Sequence, residues 1–175
     1  DLITIAKGLT SAYAPLSGSI VSQGMWDVLV RGSDQLGPIG HGWTYSAHPI
    51  CAAAGVANLN LIDELGLVKN AGEVGMYFRK NLSDALSSHK NVGEVRGDGL
   101  MAAVEFVEDK QDRHFFEPER KIGPSISAAL LEEGVIGRAM PQGDILGFAP
   151  PLCMTTDEAD IVVKAVERSI RKVLG

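Results

Sequence analysis

Lys7 is the residue of this sequence with the clearest potential for covalent chemistry. It follows the apolar run Leu2–Ala6, which predicts a buried strand, and it precedes Gly8, where a turn is expected. A desolvated amine at the end of a buried strand favours its uncharged form and can attack a carbonyl carbon, as Schiff-base lysines do. A lysine beside a turn is also often simply solvated. Lys7 taken alone leaves both interpretations open.

The second candidate is the segment His41–Ser46, the end of a loop that contains Gly32, Gly37, Pro38, Gly40 and Gly42. The Thr44 hydroxyl, the loop amides and the start of a helix at Pro49 together suit a small anion such as a phosphate. The alternative is that Thr44 and Ser46 only cap or turn the chain before Pro49, which is the common role of these residue types.

The aromatic and histidine residues of the same loop have less specific roles. Trp43 and Tyr45 suit the wall of a substrate pocket, but aromatic residues also occur in hydrophobic cores and dimer interfaces. His41 and His48 lack partners at a spacing typical of metal ligands, so no metal site is expected.

The elements that position these residues are predicted from periodicity. Around Lys7 we expect a second strand at Leu16–Ser22, a helical turn at Met25–Val30 and a buried helix from Pro49 through Leu61. After Gly66 an amphipathic helix is predicted, with an apolar residue at every fourth position: Val74, Phe78, Leu82 and Leu86.

Beyond Asn91 the sequence predicts a compact α+β domain in the order strand, strand, helix, strand, strand, helix. A strong hairpin signal lies at Gly97-Asp98-Gly99, which Arg96 is expected to order. Thr155 and Glu158 match a capping box at the start of the last helix. The predicted segments are Val92–Arg96, Leu100–Val107, Pro124–Glu133, Val135–Ala139 and Asp144–Phe148, and the last helix carries an apolar stripe of Ile161, Val162, Ala165, Val166, Ile170 and Val173.

The composition and charge of the sequence limit the classes of function that are expected. The net charge is −6, and no basic stripe is interleaved with aromatic residues, so no nucleic-acid partner is expected. No apolar run approaches the roughly 20 residues of a membrane span. Cys51 and Cys153 are too few and too isolated for a disulfide framework. We therefore expect a cytoplasmic protein without nucleic-acid or membrane partners.

Three segments, taken in order, resemble class III (omega) pyridoxal-phosphate-dependent aminotransferases. Ile5-Ala-Lys-Gly-Leu9 with Pro15-Leu-Ser-Gly18 resembles the cofactor-lysine segment of that family. His41-Gly-Trp-Thr-Tyr-Ser-Ala-His-Pro49 resembles its phosphate-contact loop. Gly134-Val-Ile-Gly-Arg138, leading to Asp144-Ile-Leu-Gly-Phe-Ala-Pro-Pro-Leu152, is similar to its carboxyl-terminal segment. The resemblance covers essentially the whole chain and identifies it as a carboxyl-terminal part.

For the fold, the resemblance implies the α/β class of fold-type I PLP-dependent transferases, with a partial large domain and a carboxyl-terminal α+β small domain. Residues 1–66 would end the large PLP-binding domain, residues 67–90 would form a connecting helix, and residues 91–175 would form the small domain.

For the site, the resemblance implies that pyridoxal 5'-phosphate forms an internal aldimine with Lys7, which later serves as the general base. Thr44 would contact the phosphate of the cofactor in the neighbouring subunit of a homodimer. Arg138 would pair with a substrate carboxylate, although an exposed arginine on an edge strand is the alternative, and the link Met140–Gly143 is longer than usual. The substrate contact expected of Trp43 rests on its residue type and not on the resemblance.

For the reaction, the resemblance implies transfer of an amino group from an omega-amino acid or amine to a keto acid such as pyruvate. The alternatives are an aminomutase, a decarboxylase or a racemase on the same fold. A further alternative is a non-catalytic dimerisation fragment. The family's phosphate cup, ring-stacking aromatic and ring-nitrogen aspartate lie upstream of the lysine, and only six residues precede Lys7. The chain alone is therefore expected to be inactive.

Overall fold

The computed structural model describes residues 1–38, 40–112 and 114–175. It divides the chain into two compact units, Asp1–Leu65 and Gly66–Gly175, and each unit has its own antiparallel sheet. The helix predicted to connect two domains belongs to the second unit, because its apolar face packs into the core of that unit.

The first unit consists of two strands followed by two helices: β1 Leu2–Ile5, β2 Gly18–Val21, α1 Gln23–Leu36 and α2 Pro49–Glu64. The strands pair antiparallel, with Ile5 opposite Gly18. Both predicted strands and the predicted start of α2 at Pro49 are therefore confirmed. Helix α1 is much longer than the predicted turn, and the Ser22 hydroxyl caps its start by accepting from the Met25 amide.

Burial in the first unit differs from the prediction. Leu2 and Ile3 of β1 are more than half exposed, and Gly55 is the buried residue of α2 among those described. The prediction of a buried strand and a buried helix is therefore wrong for this chain. The physical reason is that β1 and β2 pair mainly with each other, so that little of this unit covers their faces.

The second unit confirms the predicted order of elements. Its sheet runs β3-β4-β6-β5, with all neighbours antiparallel, and three helices pack with it. The elements are α3 Leu67–Leu86, β3 Val92–Asp98, β4 Met101–Phe106, α4 Ile122–Glu132, β5 Arg138–Ala139, β6 Ile145–Phe148 and α5 Thr156–Leu174.

The core of the second unit is apolar and closely packed. All four predicted core residues of α3 are buried, and Phe78 contacts Phe148 of β6 edge to face, with ring centroids 6.0 Å apart. Residues buried completely or nearly so on the other elements include Val104, Phe106, Ile126, Leu130, Leu146 and Val166. Burial of this much apolar surface gives the second unit a hydrophobic core of its own.

Helix α5 confirms the capping box but corrects one residue of the predicted stripe. The Thr155 hydroxyl accepts from the Glu158 amide, and the Glu158 carboxylate accepts from the Thr155 amide. Ile161 is 60% exposed, whereas Val163 is only 8% exposed. The buried positions follow Ala159 at intervals of four and three residues, and Ile161 lies on the opposite side of that helix.

The predicted strand Val135–Ala139 is shorter in the structure, because its first half follows α4 and not the sheet. Gly134 ends α4 with φ of 80°, and the Val135 amide donates to the Leu130 carbonyl. Only Arg138 and Ala139 pair with β6.

Among the described residues no single helix has both the length and the apolar composition of a membrane span; only α2 and α3, taken together, meet both criteria.

Candidate active site

Lys7 lies in a tight turn directly after β1. Residues Lys7–Thr10 form one turn of 3-10 helix, and the Ala12 amide donates to the Lys7 carbonyl at 3.2 Å. The sequence predicts that Gly8 provides the conformational freedom of this turn. The structure corrects this, because Lys7 itself adopts the left-handed conformation, with φ of 49°. That conformation is unfavourable for a residue with a Cβ and requires support from the surroundings.

The Lys7 side chain is exposed and borders an open cavity. The other residues of that cavity are mostly small and all come from the loop before β2: Ala12, Ala14, Pro15, Leu16 and Ser17. The predicted desolvation of the amine is therefore wrong for this chain, because β1 is exposed and the cavity is open. What the chain does provide is an accessible amine at the tip of a strand, with room around it.

Asn58 of α2 contacts the turn that begins at Lys7. Its carboxamide nitrogen donates to the carbonyl oxygens of Gly8 and Leu9, and its oxygen accepts from the Ser11 hydroxyl. Asn58 is not among the site residues that the sequence predicts. The available signal is a single polar side chain, Asn58, within the small apolar residues of the first three turns of α2.

Thr44 lies in an exposed turn before α2. The Ser46 hydroxyl accepts from the Trp43 amide at 3.0 Å, and the Ser46 amide donates to the Trp43 carbonyl at 2.9 Å. Ser46 thus has the turn-forming role that the alternative interpretation assigned to both hydroxyl residues. Thr44 is left at the exposed side of the turn, where its hydroxyl is accessible to a ligand.

The aromatic residues of this loop are also exposed. Trp43 is 75% exposed and has the ring of His41 at its edge, with centroids 5.5 Å apart. Tyr45 lies 6.0 Å from His48, whose Nδ1 is buried without a hydrogen-bond partner in the described part of the chain. In that part, no three histidine, cysteine, aspartate or glutamate side chains lie close enough to hold a metal ion. Trp43 does not border the cavity at Lys7.

Arg138 lies in the second unit, on β5 at the edge of the sheet, and is exposed. Two hydrogen bonds to α4 hold the hairpin of β5 and β6. The Ser127 hydroxyl donates to the Gly137 carbonyl at 2.5 Å, and the Asp144 carboxylate accepts from the Gly123 amide at 2.8 Å. The guanidinium of Arg138 is therefore presented to solvent from a fixed backbone.

Arg96 has the structural role that the sequence predicts. Its guanidinium pairs with Glu94 of its own strand, at 2.8 Å, and with Glu105 of β4. The Glu105 carboxylate raises the pKa of Arg96 above its usual value. The cation thus links the two strands of the hairpin, which is a structural role and not a catalytic one.

Lys7, Thr44 and Trp43 therefore belong to the first unit, and Arg138 belongs to the second. Each of the four side chains is exposed. An exposed amine, hydroxyl, indole and guanidinium are groups that can bind an aldehyde, a phosphate and a carboxylate.

Comparison with known proteins gives consistent matches. Residues 1–170 match the family described as Aminotransferase class-III. The chain is 57% identical to the diaminobutyrate--2-oxoglutarate transaminase of Halomonas elongata, over 99% of this chain and 37% of that protein. It therefore spans little more than a third of the length of that relative.

Two solved structures are similar over the chain. A transaminase from directed evolution by ancestral reconstruction has a TM-score of 0.97 and 59% identity, over 99% of this chain and 38% of that one. An (S)-enantioselective omega-transaminase from Thermomicrobium roseum has a TM-score of 0.91 and 38% identity, over 100% and 38%. These matches confirm the predicted fold class, a partial fold-type I transferase. The chain belongs to the class-III aminotransferase family.

Proposed function

We propose that the protein containing this chain transfers an amino group from an omega-amino acid or amine to a keto acid such as pyruvate, with pyridoxal 5'-phosphate as cofactor. The observation that carries the proposal is the exposed Lys7 amine at the tip of β1, in a family member. The name of the Halomonas elongata relative supports an omega-amine donor and a keto-acid acceptor, since it specifies diaminobutyrate and 2-oxoglutarate.

The residues present fit the reactive end of this cofactor. When bound, pyridoxal phosphate supplies an aldehyde that accepts an amine and a ring that takes up electrons from the substrate carbon. Lys7 offers a primary amine beside an open cavity whose other walls are mostly small residues, so there is space for a ring. Lys7 would hold the cofactor covalently through Nζ. Once released, the same Nζ would carry the proton that leaves the substrate carbon.

Thr44 would hold the phosphate of a cofactor bound mainly by a second subunit of a homodimer. Its turn is exposed, and the Ser46 hydroxyl already fixes the backbone of that turn. The start of α2, which no side chain caps within the described part of the chain, adds backbone amides to the donors available for an anion. Trp43, exposed on the same turn, would contact the substrate.

Arg138 would bind the carboxylate of the substrate. The exposed guanidinium can form two parallel hydrogen bonds with a carboxylate. A fixed hairpin backbone with a long, flexible side chain would also allow Arg138 to turn away from an amine that lacks a carboxylate. Arg138 would therefore decide between classes of donor.

The test is a pair of separated half-reactions in the full-length protein. Diaminobutyrate without a keto acid is expected to change the visible absorption of the bound cofactor, and pyruvate or 2-oxoglutarate added afterwards is expected to restore it. Conversion of the donor with no requirement for a keto acid would contradict the proposal and would indicate an aminomutase, decarboxylase or racemase. Absence of any reaction with intact cofactor binding would indicate a non-catalytic role.

Assembly and location complete the proposal. We expect a homodimer with shared active sites in the cytoplasm, and the two free cysteines, Cys51 and Cys153, are compatible with a reducing compartment. Light scattering of the full-length protein tests the assembly. A monomer that retains full transaminase activity would contradict the role of Thr44, and location follows from cell fractionation.

A further inference from the structure

The turn after Lys7 is held by one side chain from another element. Asn58 Nδ2 donates to the Gly8 carbonyl at 2.9 Å and to the Leu9 carbonyl at 3.2 Å. Asn58 Oδ1 accepts from the Ser11 hydroxyl at 2.5 Å. One carboxamide thus makes three hydrogen bonds, all of them with the four residues that follow Lys7.

This turn needs such support because its backbone is unfavourable. Lys7, Ser11 and Ala12 all adopt the left-handed conformation, with φ of 49°, 49° and 62°. Residues with a Cβ remain in this conformation only when their surroundings hold them there. Backbone hydrogen bonds within the turn, such as that from the Ser11 amide to the Gly8 carbonyl, close the turn but do not attach it to the rest of the unit.

Helix α2 packs beside the turn at Gly55, which is buried. A Cβ on Gly55 would lie 2.9 Å from Leu16 Cδ2 and 3.9 Å from the Leu9 carbonyl oxygen. Asn58 lies three residues later, and therefore on the same face of α2. Asn58 therefore lies on the side of α2 that faces the turn, within hydrogen-bond distance of the Gly8 and Leu9 carbonyls.

We propose that Asn58 is a positioning residue for Lys7, an inference that rests on the proposed function of Lys7 as the cofactor lysine. By fixing the carbonyls of Gly8 and Leu9, Asn58 fixes the left-handed backbone at Lys7. That backbone sets the direction in which the Lys7 side chain leaves the end of β1. Asn58 itself contacts neither cofactor nor substrate in this role.

The consequence is specific to the steps that Lys7 performs. Its Nζ must return to the same place after each release, because proton transfer requires hydrogen-bond distance. A misplacement of about 1 Å can lower the rate about 100-fold. Asn58→Asp replaces the amide nitrogen that makes both donations by an oxygen that faces the Gly8 and Leu9 carbonyl oxygens. Asn58→Ala removes all three hydrogen bonds. Ser11→Ala removes only one.

The test uses the full-length holoenzyme and three variants: Asn58→Ala, Asn58→Asp and Ser11→Ala. The matched control is Asn60→Ala, an exposed amide on the same helix but on another face. The readouts are the pH at which the visible absorption of the Lys7-bound cofactor changes, and the isotope effect with a donor deuterated at the reacting carbon. Thermal unfolding is followed in parallel.

Both Asn58 variants are expected to lower kcat about 10- to 100-fold with little change in KM. They should also shift the absorption transition and raise the isotope effect, because proton transfer becomes slower. Ser11→Ala should change kcat, the absorption transition and the isotope effect in the same directions, with kcat lowered only a few-fold. Asn60→Ala should match the wild type.

A wild-type absorption transition and isotope effect in both Asn58 variants would overturn the inference, as would an effect confined to thermal unfolding. If the Asn58 variants do not fold, an unchanged transition and isotope effect in Ser11→Ala would overturn it. A wild-type protein in which borohydride traps no cofactor on Lys7 would instead overturn the proposed function, and the two failures are thereby distinguished.

Discussion

Gly75 of α3 lies directly against the carbonyl of Gly99 in the β3–β4 hairpin turn, so closely that a Cβ on residue 75 would overlap with that carbonyl oxygen. The Arg79 guanidinium, one turn along α3, donates a hydrogen bond to the same oxygen. The hairpin turn and the long helix of the second unit are therefore joined at one backbone atom. No side chain larger than hydrogen fits at residue 75 without displacing backbone.

Gly75→Ala is therefore expected to destabilise the second unit by about 1–3 kcal/mol, because the added methyl group forces the hairpin away from α3. Gly72→Ala is the matched control on the same helix, since nothing lies within 4 Å of a Cβ there. That control is expected to stabilise by about 0.5–1 kcal/mol, because alanine favours helix. Urea unfolding of both variants measures the difference; equal effects would contradict the contact.

Val163→Ala and Ile161→Ala test which face of α5 enters the core. Val163 is buried and Ile161 is 60% exposed. Removing two buried methyl groups at Val163 is expected to cost about 2 kcal/mol, whereas Ile161→Ala should change the free energy of unfolding by less than about 0.5 kcal/mol. The reverse order, measured by denaturant unfolding, would show that the helix is rotated.

The Glu158 carboxylate makes the start of α5 sensitive to acid. The hydrogen bond from the Thr155 amide, together with the Thr155 hydroxyl, lowers the pKa of Glu158 below its usual value of 4.5. A lowered pKa in the folded state means that the stabilisation is present above pH 4.5. It is lost as the pH falls through the lower pKa of the folded state.

Glu158→Gln is therefore expected to keep the capping geometry but to weaken the acid dependence of the Tm below pH 4.5. Glu132→Gln is the control. It removes a carboxylate that pairs with Lys172 and leaves the capping box intact. A Glu158→Gln variant whose Tm falls with acid as steeply as that of the wild type would contradict the assignment.

Arg138→Ala tests the proposed choice between donors. In the full-length enzyme, kcat/KM for donors with a carboxylate is expected to fall about 10- to 100-fold, the value of a lost charge-assisted hydrogen bond pair. For simple amines kcat/KM should change little. The comparison of two donor classes in one variant serves as its own control, because a folding defect would lower kcat/KM for both classes. Equal losses for the two classes would contradict the role assigned to Arg138.

The sequence predicts the second unit well because its signals are local. The four-residue spacing of Val74, Phe78, Leu82 and Leu86 and the capping box at Thr155 depend on neighbours along one helix. The order of the strands in the sheet was not predicted, because the pairing of β4 with β6 joins segments about 40 residues apart in sequence.

The site is predicted in residue type but not in conformation. Lys7 and Thr44 were found from their flanking residues, whereas the left-handed backbone of Lys7 depends on Asn58, which is 50 residues away from the turn it holds. The burial expected for β1 follows from its apolar composition, but the residues of this chain leave its faces largely open. Composition indicates what a segment can bury and does not identify the neighbours that bury it.

The role of Lys7 is tested by locating the lysine that carries the cofactor. The full-length protein, loaded with pyridoxal 5'-phosphate and reduced with borohydride, is digested and its peptides are analysed by mass spectrometry. We expect a phosphopyridoxyl group on the peptide that contains Lys7, its absence in Lys7→Ala, and its retention in Lys164→Ala, a variant at an exposed lysine of α5. Stable attachment to a different lysine, or none in a protein that transfers amino groups, would contradict it.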